Sequence, residues 1–97
     1  MIKVYQNKNG FNPFEFNLKD YVHVADLDTN DLEEAFAIGN IGPEEKYTRH
    51  LPMHSVSVND VLEKDGIYYR VASSGFDRLY PSDVDKIEWS LFKQALA

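Results

Sequence analysis

The dipeptide Asp65-Gly66 stands between two runs rich in β-forming residues, 56–62 and 67–72. Asp-Gly is a preferred central pair for a type I′ turn, whose two positive φ angles match the twist of an antiparallel hairpin. A two-residue turn also fixes the register, so Leu62 faces Tyr69, Val61 faces Arg70 and Asp60 faces Val71. Ser73-Ser74-Gly75 then turns the chain into residues 76–79, which extends the hairpin to a three-stranded meander. Hairpin connections this short impose antiparallel order, because a parallel pair needs a long crossover.

The same alternation recurs upstream. Residues 2–6 read as a strand, Asn7-Lys8-Asn9-Gly10 as a turn, and 14–18 and 21–25 as two further strands. Asn30 reads as a helix N-cap, with Glu33 completing a capping box and Leu32, Ala35 and Phe36 forming an apolar stripe. Gly39-Asn40 is expected to end this helix, and residues 42–53, with Pro43 and Pro52, to form a long loop. Ser82 opens a second helix with Val84, Ile87, Leu91 and Ala95 on one face and Trp89 off it. The expected architecture is one α+β domain over residues 1–97, with a mixed, mainly antiparallel sheet of about five strands and two helices.

Chemistry is bounded mostly by what is missing. None of the 97 residues is cysteine, so disulfides, thiolate zinc sites and cysteine nucleophiles are excluded. No apolar run reaches the roughly 20 residues that span a bilayer, and residues 1–6 hold no signal-peptide core. A cytoplasmic location, in a bacterial host cell, is expected, without membrane contact.

The net charge of −6 is concentrated in one segment: residues 20–45 carry eight Asp and Glu and no Lys or Arg. Direct nucleic-acid binding is not expected, because neutralising phosphates takes a basic patch. A protein partner with a basic surface fits better. Asp26, Asp28, Asp31, Glu34, Glu44 and Glu45 are the candidate interface, with Trp89 as an aromatic anchor.

Specific motifs fail on their details. Asp26-Leu27-Asp28-Thr29-Asn30-Asp31 begins like a calcium loop, but its sixth position is Asp31 rather than Gly and its twelfth is Ala37 rather than Glu. His50 and His54 are four apart, but Pro52 between them breaks the helix a zinc pair would need. The serines have no nucleophile-elbow glycines, and no glycine-rich phosphate loop is present. No catalytic, cofactor-binding or metal-binding residue is assigned, and the chain is not expected to be an enzyme.

Residues 31–36, and residues 54–61 running through Asp65-Gly66-Ile67-Tyr68-Tyr69-Arg70 to Gly75-Phe76, resemble a group of small phage, prophage and plasmid proteins that includes YodL-like and KfrB-like domains. The shared pattern is an Arg-Ser-x-Ser-Val-Gly-Asp stretch, a strand, an Asp-Gly turn, a Tyr-rich strand and a Gly-Phe pair. His54 stands where the group has Arg, and Asn59 where it has Gly; Asn tolerates the positive φ that Gly supplies. The resemblance implies mobile-element origin and no particular activity. The expected function is a non-catalytic protein-binding module that inhibits or redirects a host protein. The alternatives are a DNA-mimic inhibitor of a host nuclease or restriction enzyme, and a regulator of mobile-element maintenance or transcription.

Overall fold

A computed structural model describes residues 1–9 and 20–79. The expected strand at 14–18 and the helix from Ser82, with Trp89, lie outside the described residues. Six strands, β1 (Ile2–Asn7), β2 (Tyr21–Leu27), β3 (Tyr47–Arg49), β4 (Val61–Lys64), β5 (Ile67–Val71) and β6 (Phe76–Arg78), form one sheet in the order β3-β2-β1-β4-β5-β6. Among the described residues every neighbouring pair is antiparallel, so this sheet is not mixed, and it holds six strands against about five expected. One α-helix, α1 (Leu32–Ile41), and a 3₁₀ turn, Glu44–Lys46, complete the described residues. Among these residues no helix is long and apolar enough to cross a membrane.

The central hairpin follows the turn chemistry. Asp65 and Gly66 both take positive φ, 52° and 82°, and Leu62 pairs with Tyr69 and Val61 with Arg70. The expected strand at 56–62 starts late, at Val61. Residues 57–60 turn instead: Asn59 takes φ 72°, and the Asp60 N–H donates to the Ser57 carbonyl at 3.0 Å. Asp60 still faces Val71, whose N–H donates to the Asp60 carbonyl at 2.8 Å.

Two corrections concern the helix. Its N-cap is Asp31, whose Oδ1 accepts from the Glu34 N–H at 3.0 Å; Asn30 instead accepts from the N-terminal amine at 2.6 Å. The helix also runs past Gly39-Asn40 to Ile41 and is capped by Gly42 at φ 86°. Gly39 is there for contact. A Cβ on it would lie 2.2 Å from Val56 Cγ2, so glycine lets the helix backbone lie directly on Val56.

A third correction falls in the expected loop at 42–53, which contains β3. Tyr47, Thr48 and Arg49 pair with Leu27, Asp26 and Ala25 and close one edge of the sheet. The stretch is only three residues long and mixes polar with apolar, so it has no periodicity to read.

The two sheet faces differ. Ile2 and Val4 of β1 point toward α1 and pack with Ala25, Leu27, Ala35, Ile38, Leu62 and Val71. The next residue, Tyr5, lies on the opposite face with Tyr21, Val61 and Tyr68. Tyr5 is buried there at 1% exposure, and its hydroxyl titrates well above the usual tyrosine range, chiefly because burial penalises the phenolate.

Candidate functional site

The pairing of β1 with β2 is interrupted once. Val4 pairs with Ala25 and Tyr5 with His23, which leaves Val24 as an extra residue in β2. Such a bulge resets the inward–outward alternation of its strand and re-aims the side chains beyond it. Val24 and Ala25 therefore both enter the core beneath α1. His23 and Asp26, three apart in sequence, emerge together on the tyrosine face.

His50 reaches the same place from the end of β3. The Val24 carbonyl accepts the His50 N–H at 2.8 Å and the Leu51 N–H at 3.2 Å. The bulge thus anchors His50 beside His23, with ring centroids 4.9 Å apart. Both imidazoles turn their Nε2 atoms to one carboxylate: His23 Nε2 is 2.8 Å from Asp26 Oδ1, and His50 Nε2 is 2.8 Å from Asp26 Oδ2. His23 Nε2 also lies 3.1 Å from the Ala25 carbonyl. Tyr5 packs behind His23 at 5.4 Å between centroids. Burial raises the Asp26 carboxyl, but hydrogen bonds from His50 and His23 outweigh it and hold the group below its ordinary range.

One potential ligand atom from each of His23, Asp26 and His50 lies within 4.8 Å of the other two. The sequence shows only an isolated strand histidine, a loop histidine and one acid among many. Neither the bulge nor β3, which together make them converge, leaves a pattern in the chain.

The acids singled out from the sequence separate into different roles. Asp26 belongs to the histidine pair, and Asp31 caps α1. Glu34 pairs with Lys46 at 3.2 Å, and Glu44 with Arg49 at 2.7 Å. The two cations come from just beyond the acidic segment and fold back onto it. Asp28 and Glu45 are exposed and form no ion pair among the described residues. Trp89 lies outside the described residues.

His54 does not join His50. It lies near a second buried polar group on the core side of the sheet. Gln6 Nε2 donates to Asp60 Oδ2 at 2.9 Å and to the His54 carbonyl at 2.9 Å. The Ser57 N–H donates to Asp60 Oδ2 at 2.8 Å, and His54 Nδ1 lies 3.9 Å from that oxygen. The Tyr21 hydroxyl donates to the Asn59 carbonyl and ties the same turn to β2. This group holds the 57–60 turn against the sheet.

Comparison of the chain with known protein families, with curated proteins and with solved structures finds no match.

Proposed function

We propose that this chain is a non-catalytic protein-binding module that engages a basic partner at the groove between α1 and the β5–β6 turn. The observation that carries this reading is the pairing of an exposed carboxylate with an exposed aromatic at an open groove. Glu33 and Phe36 line a groove of about 260 Å³ with Val71, Ala72, Ser73, Gly75 and Phe76. Phe36 is 39% exposed, and Glu33 forms no ion pair among the described residues. An aromatic ring beside a carboxylate suits a partner's Arg or Lys, which stacks on the one and pairs with the other. Asp28 and Glu45 are further exposed acids of the same segment.

The resemblance to YodL-like and KfrB-like domains supports a mobile-element origin for the chain, and with it a bacterial host as the source of such a partner. Internal pairing of Glu34 and Glu44 breaks up the run of charge and weighs against a DNA mimic.

The test is capture from a bacterial lysate by the wild-type chain and by a Glu33→Lys/Phe36→Ala variant, with folding checked by circular dichroism. A basic protein retained by wild type and lost by the folded variant supports the reading. Equal capture by both overturns it, as does a salt-sensitive shift of random duplex DNA at physiological ionic strength.

A further inference from the structure

We propose that His23, Asp26 and His50 form a binding site for a divalent transition-metal ion, zinc before others, with at least one coordination position left open. Three observations carry it. Two imidazole Nε2 atoms and one carboxylate already converge, each nitrogen 2.8 Å from a different oxygen of Asp26. His23 and Asp26 come from β2 and His50 directly follows β3, and their backbones are locked by the β2–β3 pairing and by the His50 N–H on the Val24 carbonyl. The cluster is at the surface yet partly shielded, with side chains 23%, 19% and 42% exposed for His23, Asp26 and His50.

The donor set decides the class of ion. Calcium and magnesium take six or more oxygens and keep waters, and a single carboxylate serves them poorly. Imidazole nitrogen with one carboxylate suits zinc and its neighbours in the first transition row. Around zinc at about 2.0–2.1 Å, tetrahedral ligand atoms are separated by roughly 3.3 Å. No two of these ligand atoms are more than 4.8 Å apart, so closing the site takes a shift of no more than about 1.5 Å, within the swing of an imidazole. His50, the most exposed of the three, is the side chain free to make it. The protons that Nε2 now directs at Asp26 move to Nδ1 or to solvent, and the metal takes their place. Two neutral imidazoles and one carboxylate leave a zinc site with a single positive charge, which a water or a partner's carboxylate completes. Lys3, paired with Asp26 across β1, is the cation nearest in register and the one charge on β1 that opposes the ion.

The full chain, free of any histidine tag and stripped with a chelator, is titrated with zinc chloride by calorimetry. One equivalent is expected to bind and to raise Tm, since a ligand that binds only the folded state stabilises it. His50→Ala and Asp26→Asn should each weaken binding more than about tenfold. His54→Ala, outside the cluster, should bind as wild type does. Cobalt(II) in place of zinc should give the intense visible bands of a four-coordinate ion, lost in His50→Ala. If His50→Ala does not fold, His50→Gln serves for both measurements. Calcium at the same concentration should leave Tm unchanged. Absence of stoichiometric zinc binding overturns the proposal, and so does binding that survives loss of the His50 imidazole or depends on His54. Neither result bears on the groove beside Phe36, whose variants are separate.

Discussion

His23 and Asp26 are three residues apart on one strand, yet Nε2 of the first lies 2.8 Å from Oδ1 of the second. In a regular strand these side chains would point to opposite faces. One unpaired residue, Val24, brings them together, and its carbonyl also fixes His50. A single irregularity in β2 thus sets both the depth of the core under α1 and the chemistry on the far side of the sheet.

The close approach of α1 to residue 56 yields the sharpest packing prediction. In an open helix, Gly→Ala stabilises by roughly 0.5–1 kcal/mol. At Gly39 the new methyl would lie 2.2 Å from Val56 Cγ2, so the helix or residue 56 must shift. Overpacking of this kind costs about 1–3 kcal/mol. Gly39→Ala should therefore lower stability by about 1 kcal/mol or more, although it favours helix. In a Val56→Ala background the clash with Cγ2 is gone and the cost should shrink, but the residue 56 Cβ, 3.0 Å from the new methyl, still has to give. Urea unfolding of wild type, the two single variants and the double variant measures the coupling; additive effects would mean that the contact is not tight.

The helix cap separates two adjacent residues. Asp31→Ala removes the acceptor for the Glu34 N–H and should cost about 1 kcal/mol. Asn30→Ala removes only an exposed bond to the N-terminal amine and should cost clearly less. Thermal unfolding of both variants decides the assignment: a larger loss at Asn30 would return the cap to it.

Local chemistry makes the hairpin legible. Asp65-Gly66 admits few turns, so the register of β4 and β5 follows from two residues. The acidic start of α1 is legible too, but Asn30 and Asp31 are both good caps, and only tertiary packing chooses between them. Gly39 reads as a stop because a glycine is judged by its backbone freedom, whereas here it is selected by the nearness of Val56. The candidate site is not legible. His23 and His50 are joined by strand pairing across the whole of α1 and the acidic segment, and the bulge that sets their faces is marked by no characteristic residue.

The turn itself is testable. Gly66 takes φ 82° in open space, so any loss on substitution reports backbone strain rather than a clash. Gly66→Val places a β-branched residue at positive φ and should cost more than about 1 kcal/mol. An unchanged Tm would remove the type I′ assignment.

The last prediction concerns Asp60, a carboxyl only 3% exposed. Burial pushes it up to about 6, although hydrogen bonds from the Ser57 N–H and Gln6 and the nearby His54 pull the other way. In the unfolded chain the group titrates near its ordinary value of 3.8. Between these values the folded state holds the proton and the unfolded state does not. The stability this group contributes is therefore full below about pH 4 and is lost as pH rises through about 6. The span is on the order of 2–3 kcal/mol. Asp60→Asn keeps the shape and cannot ionise, so it should lack this dependence. Urea unfolding of both chains at intervals from pH 4 to 7 should show wild type losing stability relative to Asp60→Asn as pH rises. Because the His54 imidazole lies 3.9 Å from the Asp60 carboxylate, the pair is repeated with His54→Gln in both chains. A stability difference between wild type and Asp60→Asn that stays flat across this range, with and without His54, would mean that the carboxylate is fully satisfied by Gln6 and the Ser57 N–H despite its burial.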